Sequence, residues 1–510
     1  MNKVLVLDFG SQYTQLIARK TRELGVYSEI FPFDAPLSRI QKENPAALIL
    51  SGGPRSVYEP DAPLPDTGIF RLGIPVLGIC YGLQLMAHLL GGKVVPSAKR
   101  EYGFAHLIIL DRHGLLRGVK NHGQVWMSHG DRVERVPSEF VVTGKTANTK
   151  VAAIESWEQK FFGVQFHPEV IHTRQGNKIL SSFLFLLAGL KPEWSMKSFI
   201  LKKVKEIREL AGKEKVICGL SGGVDSLVTS LLVHRAVKNN LTCIFVDNGL
   251  LRKGQYEELT DEFRRKLSLR VIGVDASELF LRRLRGVISP ERKRKIIGRA
   301  FIDIFEEQAR KIGGVHFLAQ GTIYPDVIES APVKGPSSTI KSHHNVGGLP
   351  KGLRFKLVEP LRELFKDEVR TLAAELGVDR DFIAQHPFPG PGLAVRILGE
   401  VTRERIAMLR EADRILLEVV RKSGLYHKLW QAFAVLLPVR SVGVMGDQRT
   451  YQQVVVIRLV QSVDGMTANW YAADPRVLSR VSTRIVNEVD GVNRVVYDIT
   501  TKPPATIEWE

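Results

Sequence analysis

The chain contains little cysteine and no long apolar run. Its 510 residues include only three cysteines, at positions 80, 218 and 243. An odd, sparse set of this kind argues against a disulfide scaffold and predicts a reducing compartment. No apolar run approaches the length of a membrane span, and residues 4–7 read as a strand with no signal peptide before them. We therefore expect a cytoplasmic protein with no membrane partner.

Acidic residues are outnumbered by basic ones. The 72 lysines and arginines exceed the 54 aspartates and glutamates, which gives a formal net charge of +18. Such an excess suits either a nucleic-acid binder or an enzyme with polyanionic small substrates such as nucleotides. Because the basic residues are spread out and form no recognisable RNA- or DNA-binding motif, we expect no nucleic-acid partner. The charge alone does not decide between the two classes.

Apolar strands alternate with helices in the first and middle parts of the chain. Strands are predicted at 4–7, 46–50, 74–78, 215–220, 241–246, 270–275 and 315–319. This alternation predicts an α/β fold with two doubly wound, mostly parallel sheets, and the last part predicts a small α+β domain. In such sheets the ligand sites lie at the carboxyl ends of the strands. The length itself predicts about three domains.

Residues 221–226, with the sequence Ser-Gly-Gly-Val-Asp-Ser, form the most informative motif. An apolar strand precedes them and an apolar helix follows. Backbone N–H groups converge at such a turn, and the glycines allow a phosphate to approach the main chain. The lysine of the Walker pattern is missing, so the loop is predicted to hold phosphates for chemistry other than ordinary γ-phosphoryl transfer. A simple Gly/Ser turn that closes a strand is the alternative.

A second constellation surrounds Cys80, which lies in a Gly-Ile-Cys-Tyr-Gly sequence between a strand and a helix. The glycines permit a nucleophile elbow, and a helix N-terminus lowers the pKa of a thiol. Alone, such a cysteine is more often a core residue. However, His167 and Glu169 are two residues apart in an extended stretch, which suits a base and the carboxylate that orients it. The backbone N–H groups of Gly53 and Tyr81 are candidates for an oxyanion hole.

Both constellations resemble known families. Residues 1 to about 190 resemble the class I glutamine amidotransferases. Cys80, His167 and Glu169 match the catalytic triad of that family. The resemblance implies that Cys80 attacks the glutamine side-chain amide, that ammonia leaves, and that a γ-glutamyl thioester is hydrolysed, with His167 as base and then acid. The 221–226 loop resembles the signature of the PP-loop ATP pyrophosphatases. Those enzymes cleave ATP between the α- and β-phosphates and adenylate a substrate oxygen.

The PP-loop resemblance extends to further ligands of ATP. Lys366 matches a lysine that faces the pyrophosphate, although it could instead be an ordinary lysine on a helix surface. The polar segment 332–352 is predicted to be a mobile lid that brings Lys341 over the substrate. Mg²⁺ is expected with ATP, and Asp225 is the expected carboxylate ligand. The expected ATP-binding residues are Ser221, Gly222, Gly223, Val224, Asp225, Ser226 and Lys366.

The last part begins after a Phe-Pro-Gly-Pro-Gly stretch and resembles the C-terminal domain of the GMP synthetases. A small sheet with one helical face usually needs a partner for its other face, so a homodimer is expected. The whole order resembles the glutamine-hydrolysing GMP synthetases, with predicted domains at 1–190, 191–387 and 388–510. The resemblance implies the substrates glutamine, ATP and XMP. It also implies that Lys502, Ile507 and Glu508 help hold the nucleotide, whereas an exposed tail is the rival interpretation.

Two other functions stay open at the level of sequence. One is another ammonia-using adenylating enzyme, such as an NAD synthetase or a tRNA-modifying PP-loop protein. The other is a nucleic-acid-binding protein with a vestigial amidotransferase domain, which only the +18 charge favours. The C-terminal sequence favours XMP as the acceptor.

Overall fold

The computed structural model describes residues 2–330, 355–462 and 467–510. These residues form two compact units, which divide between residues 199 and 200. Lys341 and most of the predicted lid lie outside the described residues. Within the described ranges, no helix has the length and apolar character needed to cross a bilayer.

The first unit is built on a nine-stranded sheet with the order β2-β1-β3-β4-β9-β8-β7-β5-β6. Its strands are β1 (Lys3–Asp8), β2 (Tyr27–Pro32), β3 (Ala47–Leu50), β4 (Val76–Ile79), β5 (Lys93–Ile109), β6 (Gly123–Arg135), β7 (Val141–Lys145), β8 (Ala153–Ser156) and β9 (Phe161–Val164). Its helices are α1 (Thr14–Glu23), α2 (Leu37–Lys42), α3 (Tyr81–Leu89) and α4 (Gly176–Ser181).

The strands from β2 to β9 in this order pair in parallel, and those from β9 to β6 pair antiparallel. The central parallel strands β3 and β4 are buried along their whole length. This burial explains their uninterrupted apolar sequences, because helices cover both faces of a parallel sheet. The antiparallel half was not among the strands predicted from the sequence.

The second unit contains a five-stranded, all-parallel sheet with the order β12-β11-β10-β13-β14. After helix α5 (Met196–Ala211), its strands are β10 (Lys215–Leu220), β11 (Leu241–Asp247), β12 (Val271–Asp275), β13 (Val315–Ala319) and β14 (Lys356–Val358). The helices are α6 (Val224–Val237), α7 (Gln255–Asp261), α8 (Ser277–Leu284), α9 (Pro290–Ile312), α10 (Tyr324–Ser330), α11 (Lys366–Glu375) and α12 (Arg380–Ile383). Cys218 and Cys243 are buried neighbours in β10 and β11, as expected for packing residues.

A smaller sheet completes the second unit. It contains β15 (Gln431–Met445), β16 (Gln448–Gln461), β17 (Asn469–Trp470) and β18 (Val492–Tyr497), with the helices α13 (Arg403–Lys422) and α14 (Pro475–Glu488). β15 and β16 form a long antiparallel hairpin, and β18 adds to β16 in parallel. One continuous core joins this part to α8 and α9 through residues such as Phe280, Ile297, Leu416 and Ile485. The predicted fold class is confirmed, and the three-domain division stays a prediction.

Candidate active sites

Cys80 occupies a tight turn between β4 and α3. Its φ of +54° lies in the left-handed region that non-glycine residues rarely adopt, as expected for a strained nucleophile elbow. Two glycines make the turn possible. A Cβ on Gly78 would lie 2.6 Å from the backbone of Gly82, and one on Gly82 would lie 2.3 Å from the carbonyl oxygen of Leu50. The residue is only 4% exposed, and its Sγ lies 3.6 Å from the carbonyl oxygen of Ser128.

His167 lies beside this thiol and is oriented by Glu169. The Nδ1 atom of His167 is 2.7 Å from Oε1 of Glu169, and both side chains are almost completely buried. Burial favours the neutral imidazole, but the charge of Glu169, together with the charge and hydrogen bond of Cys80, raises the pKa of His167 well above its ordinary value. Because Glu169 occupies Nδ1, the Nε2 atom is available to Cys80. This arrangement suits an imidazole that exchanges a proton with a neighbouring thiol.

The Ser-Gly-Gly turn after β3 lies beside the same residues. A Cβ on Gly52 would lie 3.1 Å from Cε1 of His167, and one on Gly53 would lie 3.1 Å from Cγ of Tyr81. Tyr81 is the first residue of α3, where backbone N–H groups have no acceptor within the helix and carry partial positive charge. Gly53 and Tyr81 are therefore neighbours next to the candidate nucleophile.

Tyr13 and Gln165, which lie close to His167 and Cys80, were not predicted from the sequence. The ring of Tyr13 lies edge-on to His167 with a centroid separation of 4.9 Å. Nε2 of Gln165 lies 3.8 Å from Sγ of Cys80, and Gln84 donates to Gln165 Oε1 at 3.2 Å. Tyr13 and Gln165 lie far from Cys80 in the sequence, so no local spacing links them to it, whereas Gln84 follows Cys80 by one turn of α3 and its backbone N–H donates to the Cys80 carbonyl at 3.2 Å.

The 221–226 loop joins β10 to α6. Gly222 adopts a φ of +82°, and Gly223 is the N-cap residue of α6. Ser226 Oγ accepts from the backbone N–H of Ser221 at 3.1 Å and donates to the carbonyl of Gly223 at 3.0 Å. These two hydrogen bonds of the Ser226 hydroxyl hold the backbone of Ser221 and Gly223 against the first turn of α6. The N–H groups at the start of a helix suit an anion.

Lys366 and Asp225 meet at this loop although they are 141 positions apart in the chain. Nζ of Lys366, the first residue of α11, donates to Oδ2 of Asp225 at 2.6 Å. Both side chains are about one-third exposed, so the interaction is screened. Oδ1 of Asp225 is buried and has no hydrogen-bond partner among the described residues. An orphaned carboxylate oxygen beside the 221–226 loop fits a hard, oxygen-seeking cation such as Mg²⁺.

A cavity of about 560 Å³ opens over the loop. Its walls include Lys366, the segment 385–391 and a basic stretch of α9 that contributes Arg294, Lys295 and Arg299. This volume lies within the range of pockets that enclose small ligands. Part of the basic excess of the chain is therefore concentrated around a pocket suited to a polyanion.

Three protein families match successive parts of the chain: glutamine amidotransferase class-I at residues 5–187, NAD synthase at 195–291 and the GMP synthase C-terminal domain at 418–509. A glutamine-hydrolysing GMP synthase of Carboxydothermus hydrogenoformans is 57% identical over 509 residues. One of Chlorobium limicola is 58% identical over 519 residues. Each comparison covers 100% of both chains. The chain belongs to the glutamine-hydrolysing GMP synthases.

The predicted nucleotide-holding residues of this GMP synthase family member lie in the segment after β18. The backbone of Lys502 pairs with that of Ala468 through hydrogen bonds of 2.8 and 3.0 Å. Ile507 packs against the last sheet, and its carbonyl accepts from Nε of Arg458 at 3.0 Å. Glu508 binds Arg396. In the described structure Lys502, Ile507 and Glu508 do not line the cavity above the 221–226 loop.

Proposed function

We propose that this protein makes GMP from XMP, ATP and glutamine, and releases AMP, pyrophosphate and glutamate. The observation that carries the proposal is the sequence identity of 57–58% with glutamine-hydrolysing GMP synthases over the full length of both chains. Two separately built sites support it: a thiol beside an oriented imidazole in the first unit, and a phosphate-type loop under a basic cavity in the second.

The first site would release ammonia from glutamine. Sγ of Cys80 attacks the carbon of the side-chain amide, and the N–H groups of Gly53 and Tyr81 stabilise the developing oxyanion. His167 then gives a proton to the leaving nitrogen, so ammonia departs and a γ-glutamyl thioester remains. Water, deprotonated by His167, hydrolyses this thioester to glutamate and regenerates the thiol. Glu169 keeps the imidazole in the required orientation throughout.

The second site would activate XMP. The 221–226 loop and Lys366 hold the phosphates of ATP while the C2 oxygen of XMP attacks the α-phosphorus and pyrophosphate leaves. Ammonia then adds to C2, and AMP departs with the former C2 oxygen. Asp225 would hold Mg²⁺, which neutralises charge on the phosphates when it is bound. The same phosphates would draw Lys366 away from its present partner Asp225, because both anions compete for one ammonium group.

The last sheet supports the proposed homodimer. Val442 and Val444 lie on one face of the β15–β16 hairpin with Tyr451, the cross-strand partner of Val442, and they are 46%, 74% and 63% exposed. On the opposite face, Asn493 bonds to Ser441. An apolar strip of this kind fits a second copy, which would bury it. Light scattering of Val444→Glu should show a monomer; a wild-type monomer at micromolar concentration would reject the dimer.

We propose a cytoplasmic location from the sparse, reduced cysteines.

The deciding experiment is to supply XMP, ATP and glutamine and to measure GMP, pyrophosphate and glutamate. We expect equal amounts of the three products. Nicotinate adenine dinucleotide and tRNA serve as competing acceptors, and amination of either in preference to XMP would favour another adenylating enzyme. A salt-titrated binding assay with RNA and DNA tests the remaining alternative, which predicts appreciable affinity.

A further inference from the structure

Arg396 is a fully buried arginine that binds the carboxylate of Glu508. Its Nε donates to Oε2 at 3.0 Å and its Nη2 donates to Oε1 at 2.8 Å, which is the bidentate geometry of a strong charged pair. The guanidinium lies 4.3 Å from the ring centre of Phe433 and 5.2 Å from that of Phe388. Gln431 donates to Oε1 of Glu508 at 2.7 Å. The carboxylate is therefore fixed from two sides.

The pair belongs to a buried row of alternating charges. Oδ1 of Asp413 is 3.8 Å from Nη1 of Arg396, and its Oδ2 accepts from Nε of Arg252 at 3.0 Å. Two arginines thus share one buried aspartate, and Glu508 supplies the second negative charge. Without Glu508 the row would retain an uncompensated positive charge in the interior, which is strongly unfavourable. Arg252 also lines the cavity over the phosphate loop, so the row extends from the cavity wall to the segment that contains Glu508.

This geometry changes the role expected for Glu508. Both of its carboxylate oxygens already accept hydrogen bonds from protein groups, so the side chain faces inward as an anchor. Arg458 holds the neighbouring backbone separately, through the carbonyl oxygens of Thr506 and Ile507 at 3.1 and 3.0 Å. The side-chain anchor and the backbone anchor together fix residues 502–508 on the sheet.

We propose that Arg396 is a positioning residue for the nucleotide acceptor: it clamps Glu508 and so fixes the segment 502–508 that holds this substrate. The proposal rests on the proposed function, in which this segment binds XMP. Arg396 itself does not touch the substrate, since it is fully buried and is not among the residues that line the described cavity.

Arg396→Lys tests the proposal, because lysine keeps the charge but cannot form the two parallel hydrogen bonds. We expect the KM for XMP to rise by about tenfold or more, while the KM for ATP stays within about twofold. Hydrogen exchange in residues 500–510 should become faster, with no change in α1 of the first unit. Arg403→Lys is the matched control, since Arg403 forms an exposed ion pair with Glu278 and should leave both constants unchanged.

Glu508→Gln provides an independent variant if Arg396→Lys does not fold. It should reproduce the XMP effect, and in a folded double variant the two effects should not add, because both remove one interaction. Equal changes in the KM for XMP and ATP, or no change in either, would overturn the positioning role. A wild-type enzyme that makes no GMP from XMP would instead reject the proposed function itself.

Discussion

Acidification should destabilise the second unit through one buried histidine, His386, which is 5% exposed. Its Nδ1 accepts from the backbone N–H of Ala432 at 3.2 Å, and its Nε2 faces the carbonyl of Tyr426 at 2.8 Å. Its ring stacks on that of Tyr426 with a centroid separation of 3.9 Å. Only the neutral tautomer satisfies both hydrogen bonds. Burial, opposed in part by the Tyr426 carbonyl and assisted by nearby cations, lowers the pKa of His386 to about 4.

The size of the effect follows from linkage. The unfolded chain has a histidine pKa of about 6.5, so between about pH 6.5 and pH 4 it binds a proton that the folded state rejects. The contribution is therefore complete above about pH 6.5 and is lost as the pH falls. The pKa difference corresponds to about 3 kcal/mol in total, and about 2 kcal/mol of this is lost between pH 7 and pH 5.

Urea-dependent hydrogen exchange in peptides from β15 measures this quantity in the full chain. Other histidines also titrate in this range, so the informative number is the pH dependence of the wild type minus that of His386→Gln, which cannot titrate. We expect a difference of about 2 kcal/mol between pH 5 and pH 7, with the wild type more sensitive to acid. Equal pH dependence in the two proteins would show that His386 accepts a proton without cost, which contradicts its two hydrogen bonds.

Three further predictions concern the two proposed sites. Cys80→Ala should abolish GMP synthesis from glutamine but retain synthesis from high ammonium, and equal loss of both would contradict separate sites. Asp225→Ala should eliminate both activities in the same two assays, because the 221–226 loop would serve either nitrogen source; surviving ammonium-driven synthesis would remove the loop from the mechanism. Glu169→Gln should lower the glutamine-dependent rate by roughly 10³- to 10⁴-fold, as for other oriented imidazole bases. Since the charge of Glu169 raises the pKa of His167, the alkaline limb of the remaining glutaminase activity should also move to lower pH; an unchanged limb would show that Glu169 does not tune the imidazole.

Local signals in the sequence were sufficient to predict several elements and the short motifs. Helix α9 (Pro290–Ile312) has signals that are contiguous in the sequence: Ser289 caps it, Pro290 occupies its first turn and Gly313 ends it. Strand β10 and the 221–226 loop were recognised for the same reason. A buried parallel strand, a glycine turn and a helix start are all encoded within about 20 neighbouring residues.

Contacts between residues far apart in the chain became evident only in the folded protein. Lys366 reaches Asp225 because α11 begins beside the 221–226 loop, and no periodicity in the sequence encodes that approach. The antiparallel half of the first sheet depends on pairing between separate segments, such as Ile108 of β5 with Lys145 of β7. Glu508 turns inward because a buried arginine row needs its charge, and that need exists only after the core around Arg396 has formed. Short-range signals fix elements, whereas the charge balance of a buried interior is a property of the assembled fold.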